Sequence, residues 1–157
     1  EALIASLGIE PKASAAEELP SVLFVCKKNG GKSQIAAALM RQQAGDAVRV
    51  LSAGTAPGDA LNALSKAVVE EVGATMDGEY TKPIDPAILH SVDRVIVLGD
   101  EAKVEPVPDM RGTIETWPID EPSLRGIEGE ERMRLVRDDI SERVRRLADE
   151  LTQRIAR

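Results

Sequence analysis

A single cysteine lies in a lysine-rich and glycine-rich stretch near the start of the chain. Cys26 ends the apolar segment 22–25. The next six positions contain three lysines and a glycine pair, namely Lys27, Lys28, Lys32, Gly30 and Gly31. The whole chain has a net charge of −7, so this density of positive charge is local. Cations beside a cysteine favour its thiolate, which is the nucleophilic form. The stretch therefore predicts a cysteine nucleophile.

The order of residue types around Cys26 predicts a strand, a loop and a helix. "VLFVC" is a β-branched apolar run, and "SQIAAALMRQQAG" is a helix with Ser33 as its expected N-cap and Gly45 at its end. The first N–H groups of a helix lack intrahelical partners and carry partial positive charge. We expect Gly30 and Gly31 to allow positive φ angles and a close backbone approach. The loop therefore predicts an anion-binding concavity next to the thiol.

Two other interpretations of this stretch are weaker. A cysteine after a strand is often a small residue of the hydrophobic core. A nucleotide-binding loop needs the pattern G-x-x-x-x-G-K-[ST], and Gly31, Lys32 and Ser33 match only its last three positions. Cys26 stands where the first glycine of that pattern would be. The combination of strand, cysteine, basic glycine loop and helix favours the nucleophile.

Strands and helices alternate along the rest of the chain. We predict strands at 22–26, 48–54, 93–99 and, more weakly, 113–119, and helices at 33–45, 58–73, 85–92 and 130–157. In the second helix we expect one buried face, formed by Leu61, Leu64, Val68 and Val72. The pattern indicates an α/β fold with an open, mostly parallel four-stranded sheet and helices on both faces. Ligands of such sheets bind beyond the carboxyl ends of the strands, where Cys26 is placed.

Residues 21–157 are predicted to form one α/β domain, and residues 1–20 a short N-terminal helical extension. The extension is expected to pack as a cap on the domain or to be the end of a larger segment. The alternative is a dimerising element, which would give a homodimer through residues 1–20.

Composition excludes several classes of function. An acidic chain disfavours nucleic acid or an anionic membrane surface as partner, because phosphate binding needs a basic face. No apolar run reaches the roughly 20 residues of a membrane helix, and no signal peptide is visible. One cysteine and one histidine are too few soft ligands for a zinc site, so no metal site is expected. A single cysteine cannot form an internal disulfide, which fits a cytoplasmic location.

Residues 22–39 resemble the anion loop of the low-molecular-weight tyrosine phosphatase superfamily, especially its thiol-dependent arsenate reductase branch. That loop runs cysteine, five residues, arginine and serine, with asparagine three positions after the cysteine. "VLSAGTAPG" at 50–58, the middle section 61–98 and "WPIDEPSLRG" at 117–126 are also similar to segments of the family. The resemblance covers nearly all of residues 21–157.

The resemblance implies roles for individual residues. Cys26 is then the nucleophile, Ser33 the hydroxyl that steadies its thiolate, and Asn29 the residue that shapes the loop from within. Lys32 replaces the arginine that grips the oxyanion, and an ammonium lacks the bidentate geometry of a guanidinium. The oxyanion site is completed by Lys27, Lys28, Gly30 and Gly31. The general acid is expected directly before Pro122, which gives Glu121, with Asp120 as the alternative.

Three functions fit this resemblance: an arsenate reductase, a small tyrosine phosphatase, and a catalytically weak oxyanion-binding or regulatory protein. Gln34 after Ser33, an aromatic content of 2% and the absence of a thiol after the third strand favour a single-cysteine reductase. Its substrate would be arsenate or a phosphate-type oxyanion. No bound cofactor is expected, and the co-substrate would be an external thiol, either mycothiol or glutathione with glutaredoxin. His90 is predicted to be a surface residue without a catalytic role.

Overall fold

The computed structural model describes residues 19–156, with side chains described for residues 19–153. The strands are β1 Ser21–Cys26, β2 Arg49–Gly54, β3 Arg94–Leu98 and β4 Thr113–Trp117. The helices are α1 Lys32–Ala44, α2 Ala63–Glu70, α3 Pro86–Ser91 and α4 Gly129–Ala156. Short 3₁₀ turns span Gly45–Ala47 and Pro122–Arg125. The predicted extension 1–20 lies almost wholly outside the described residues, so its role stays a prediction.

The four strands form one sheet in the order β2-β1-β3-β4, and every neighbouring pair is parallel. All six residues of β1 are buried, because this strand lies inside the sheet and both of its faces are covered. The register places Cys26 opposite Gly54 at the carboxyl end of β1. The predicted open parallel sheet of four strands is confirmed.

Two hydrophobic clusters cover the two faces of the sheet. Val22 and Phe24 point into the larger cluster with α1, α2 and α4, and Leu23 and Val25 point into the smaller one with α3. Along α4 the buried positions follow the predicted periodicity, at Met133, Val136, Ile140, Val144, Leu147 and Leu151. Helices therefore lie on both faces, as predicted.

The predicted face of the second helix is wrong in part. Leu64 and Val72 are exposed, and Val68 is buried together with Ser65 and Val69. Asn62 caps this helix by accepting a hydrogen bond from the Ser65 N–H, and the helix ends at Glu70. Because the helix spans only eight residues, Leu61 and Val72 fall outside it, where the helical period no longer decides burial, and Leu64 lies in its first turn.

Within residues 19–156, no helix combines the length and the hydropathy needed to cross a bilayer.

Candidate active site

The anion loop, residues 26–33, connects β1 to α1 and is fixed to the segment that follows β2. The carbonyl oxygens of Cys26, Lys27, Lys28 and Gly30 accept hydrogen bonds of 2.7–3.1 Å from backbone N–H groups in segment 55–62. Across a trans peptide the next N–H points the opposite way. Consistently, no N–H of residues 27–31 donates to another residue of the described part of the chain. Several amide donors of the loop are thus without a partner among the described residues and are available to an anion.

Asn29 holds the shape of this loop from within. Its side chain is fully buried and its φ is +57°, a left-handed conformation that asparagine tolerates better than most residues. The expectation of positive φ at Gly30 and Gly31 is wrong, since neither adopts it. Gly30 serves a close approach instead, because a Cβ there would lie 3.0 Å from the Ala60 carbonyl oxygen. The strained angle falls on Asn29 because its side chain is needed there for hydrogen bonding.

Ser33 links Asn29 to the thiol. The Asn29 Nδ2 donates to Ser33 Oγ at 2.7 Å, and Ser33 Oγ lies 3.1 Å from Cys26 Sγ. Because the amide occupies a lone pair of the hydroxyl oxygen, the hydroxyl hydrogen is free to point at the sulfur. Ser33 is not the N-cap that the sequence predicted. Gly31 occupies that position, and Ser33 lies in the first turn of α1, where its hydroxyl faces the sulfur.

Lys82 and Gln34 complete the network behind the loop. The Asn29 Oδ1 accepts from Gln34 Nε2 at 3.2 Å, from the Lys82 backbone N–H at 3.1 Å and from Lys82 Nζ at 3.5 Å. The ammonium also donates to the Tyr80 carbonyl at 2.8 Å and to Ser52 Oγ at 3.3 Å. Desolvation lowers the pKa of Lys82. Sequence reasoning missed Lys82 because it lies 53 positions from Asn29, with no local pattern to connect them.

Gly54 is a second residue of the site that the sequence analysis did not single out. A Cβ at this position would lie 2.7 Å from the Lys27 carbonyl oxygen and 2.9 Å from the Asn29 Cβ. These separations are shorter than atoms tolerate without moving. The last residue of β2 therefore must be glycine for the anion loop to pack against it. Gly54 is the first glycine of the segment "VLSAGTAPG", which resembles the family at this position.

Cys26 borders a cavity of about 650 Å³ at the carboxyl end of the sheet. Lys27, Lys28 and Lys32 line this cavity with Gly30 and Gly31, and their role in binding an oxyanion stays a prediction. The Lys32 ammonium lies beside Gly99, where a Cβ would come within 3.4 Å of Nζ. The opposite wall comes from segment 58–65, the end of β3 and the first turns of α4. Cys26 is thus not sealed in the core.

The acid loop, residues 117–126, holds both candidate acids in ion pairs. Glu121 accepts two hydrogen bonds from Arg132, Nε to Oε2 at 2.7 Å and Nη2 to Oε1 at 3.1 Å. Asp120 accepts two from Arg125, at 2.8 and 3.1 Å. The Arg132 hydrogen bond is the main cause that lowers the pKa of Glu121 to about 2, and Arg125 likewise lowers the pKa of Asp120.

Neither acid lines the cavity, although Arg132 does. The structure thus brings together Cys26, the lysines, Asn29 and Ser33, but it leaves Asp120 and Glu121 outside, ionised at neutral pH. Their role as general acid stays a prediction. His90 is exposed on the last turn of α3, as predicted.

A family model described as low molecular weight phosphotyrosine protein phosphatase matches residues 21–157. The chain belongs to this family. The resemblance inferred from the anion loop is therefore confirmed, and the sheet order and the position of Cys26 describe how this chain builds the family's fold.

Relatives within the family include named arsenate reductases. An arsenate reductase of Bacillus licheniformis is 33% identical over 133 residues, which cover 82% of this chain and 95% of that protein. A glutaredoxin arsenate reductase of Synechocystis is 28% identical over 130 residues, covering 82% and 96%. Among solved structures, a thioredoxin-dependent arsenate reductase of Corynebacterium glutamicum aligns with a TM-score of 0.71 at 26% identity, covering 93% of this chain and 73% of that one.

Proposed function

We propose that this chain reduces arsenate to arsenite, with Cys26 as nucleophile and an external thiol as reductant. The observation that carries the proposal is the contact of 3.1 Å between Cys26 Sγ and Ser33 Oγ at the edge of a cavity lined by loop amides and lysines. Named arsenate reductases among the relatives support this reaction over phosphate-ester hydrolysis.

In the first step the Cys26 thiolate attacks the arsenic atom. A sulfur–arsenic bond forms, and one arsenic–oxygen bond breaks as that oxygen leaves as water. The free N–H groups of the anion loop and the Lys32 ammonium bind the remaining oxygens, where negative charge is concentrated. Ser33 stabilises the sulfur as a thiolate before the attack.

The leaving oxygen needs a proton, for which Glu121 or Asp120 is proposed. A carboxyl with a pKa of about 2 is almost fully ionised at neutral pH, so Glu121 cannot donate while Arg132 holds it. Glu121 therefore has to separate from Arg132 before it acts. Asp120 would have to separate from Arg125 in the same way.

The adduct is resolved by thiols from outside the chain. Reduction of arsenate needs two electrons, which two thiols release when they form a disulfide. The sequence contains one cysteine, so no pair of thiols within it can release them. The balance is arsenate plus two thiols giving arsenite, one disulfide and water. We propose mycothiol, or glutathione with glutaredoxin, as the source. Such thiols are kept reduced in the cytoplasm, where we place the protein.

The test measures arsenite formation from arsenate, with mycothiol and with glutathione plus glutaredoxin in separate assays. Hydrolysis of p-nitrophenyl phosphate is measured in parallel. We expect arsenite with at least one thiol system and none with Cys26→Ser. Phosphatase turnover without arsenite formation would favour the phosphatase. Phosphate binding with neither activity would identify an oxyanion-binding protein.

Lys32→Arg tests the most conspicuous departure from the family pattern. A guanidinium binds two oxygens at once, so this variant should raise turnover if the loop alone has to supply that geometry. Unchanged turnover would mean that another residue already supplies the contact with two oxygens.

A further inference from the structure

The anion loop carries only ammonium groups as its charged donors, yet an arginine lines the same cavity from another element. Arg132 lies in the first turn of α4 and lines the cavity with Cys26 and Lys32. Among the described residues that line it, Arg132 is the only arginine. A planar guanidinium, whose donors can bind two oxygens at once, is therefore present near the loop, although the loop itself has Lys32 in place of the family's arginine.

The position of Arg132 on α4 is well fixed. Its neighbours Met133 and Val136 are buried in the larger hydrophobic cluster, and both also line the cavity. Helix α4 packs against α1, which begins at the anion loop. The base of the arginine thus belongs to the rigid part of the fold, and its side chain is about 30% exposed toward solvent.

Two donors of the Arg132 guanidinium are occupied by Glu121. The carboxylate accepts from Nε at 2.7 Å and from Nη2 at 3.1 Å, while Nη1 contacts the Met133 sulfur at 3.4 Å. A tetrahedral oxyanion presents a pair of oxygens with a similar spacing. The carboxylate of Glu121 therefore occupies the donors that an oxyanion would use.

We propose that Arg132 binds the oxyanion substrate through this fork, and that Glu121 competes with the substrate for it. The inference rests on the proposed function for its substrate class. Binding of the oxyanion displaces the carboxylate, and the displaced Glu121 loses the hydrogen bond that keeps it ionised. Without Arg132 and beside the bound anion, the pKa of this carboxylate rises, so it can take up a proton from solvent and pass it to the leaving oxygen.

The carboxylate can leave because few contacts hold it. Apart from Arg132, Glu121 accepts one side-chain hydrogen bond, from Ser123 at 2.8 Å, a residue of the same loop. Pro122 is buried and fixes the backbone of this turn, whereas Leu124 is 86% exposed, so only the Glu121 side chain has to move. An ion pair of this exposure contributes little stability, and an anion at the cavity can replace it.

The experiment measures how inorganic phosphate protects Cys26 of the full chain from iodoacetamide. Binding is read without turnover, so a failure of arsenate reduction does not affect it. Arg132→Gln should weaken protection by about tenfold or more, because one bidentate charged contact is lost. Arg132→Lys should fall between wild type and Arg132→Gln. Glu121→Gln should strengthen protection several-fold, since the competing charge is gone.

The matched control is Arg134→Gln. Arg134 forms a similar two-oxygen pair with Glu71 on the surface, and it does not line the cavity. Its removal should leave protection unchanged, and thermal melts of all variants check folding. Unchanged protection in Arg132→Gln, full retention in Arg132→Lys, or weaker protection in Glu121→Gln would each overturn the proposal.

Discussion

The anion loop and the acid loop hold their polar side chains by different means. In the anion loop Asn29 and Ser33 are fully buried. They bond to each other, Ser33 contacts the sulfur, and Asn29 also bonds to Gln34 and Lys82 outside the loop. In the acid loop Asp120 and Glu121 are partly exposed and each pairs with one arginine. The first arrangement cannot change without disturbing the core, whereas the second can open at small cost.

The difference separates two requirements of the proposed reaction. The nucleophile and the anion donors need fixed geometry, because catalysis depends on donors already aimed at the developing charge. The proton donor has to change its partner between binding and reaction. The four variants below test this contrast, beginning with the greatest predicted loss.

Asn29→Asp should cause the largest loss. The carboxylate cannot donate to Ser33 Oγ, and it places a buried negative charge near the thiolate. We expect turnover to fall by about 100-fold or more. The control is Asn62→Asp, whose oxygen can still accept the Ser65 N–H bond at the start of α2. An equal loss in both variants would mean that the added charge, not the lost donor, is responsible.

Ser33→Ala should slow the reaction of the Cys26 sulfur with an alkylating agent. The hydroxyl at 3.1 Å is the side-chain hydrogen-bond partner of the sulfur, and a bond to an ion contributes about 1.5–3 kcal/mol. We expect alkylation by iodoacetamide at pH 7 to slow by about tenfold, with the unfolding free energy reduced by about 1 kcal/mol. Wild-type alkylation rates across the pH range would contradict this role of Ser33.

Lys82→Met should have a smaller effect on the same readout. The variant keeps much of the apolar volume but removes the ammonium that bonds to Asn29, Ser52 and the Tyr80 carbonyl. The backbone N–H of residue 82 still supports Asn29, so we expect alkylation of Cys26 to slow by only about threefold. Lys66→Met, which removes an exposed pair with Asp77, is the control and should change nothing.

The effect of Glu121→Gln on the pH dependence of the unfolding free energy should be the smallest of the four changes. Since the folded-state pKa of Glu121 is lowered to about 2 from 4.5, its carboxylate stabilises the native state above pH 4.5. That contribution is lost as the pH falls from 4.5 toward 2. The difference in unfolding free energy between wild type and variant should be up to about 1 kcal/mol at pH 7 and should shrink below pH 4.5. A difference independent of pH would exclude the ion pair as its source.

Sequence patterns predicted the parts of the fold that repeat regularly. The buried run 22–26 and the long periodicity of α4 each carry many residues with the same tendency, so single exceptions do not change the result. The eight-residue helix α2 has too few turns for that averaging, and a cap at Asn62 moved its start. Val72 follows the end of this helix, and its exposure could not be read from its apolar side chain.

The candidate site was predictable where its residues are neighbours in sequence. Cys26, Asn29 and Ser33 share one loop, and their spacing carries the signal. The contact of Lys82 with Asn29 and the pairing of Arg132 with Glu121 join residues from separate elements. Such contacts depend on how helices and loops pack, which local spacing does not encode. Ser33 is a further example. Its residue type predicted a helix cap, whereas in the structure its hydroxyl lies next to the sulfur.

The backbone hydrogen bonds between the anion loop and segment 55–62 have a consequence for the order of folding. Four of its carbonyl groups find partners only after β2 has docked beside β1, some thirty residues further along the chain. A nascent or partly refolded chain can thus contain helix α1 without a reactive sulfur, since the loop closes late. In a stopped-flow refolding experiment, recovery of helical ellipticity should precede recovery of thiol reactivity, which would time the assembly of the β1–β2 pair.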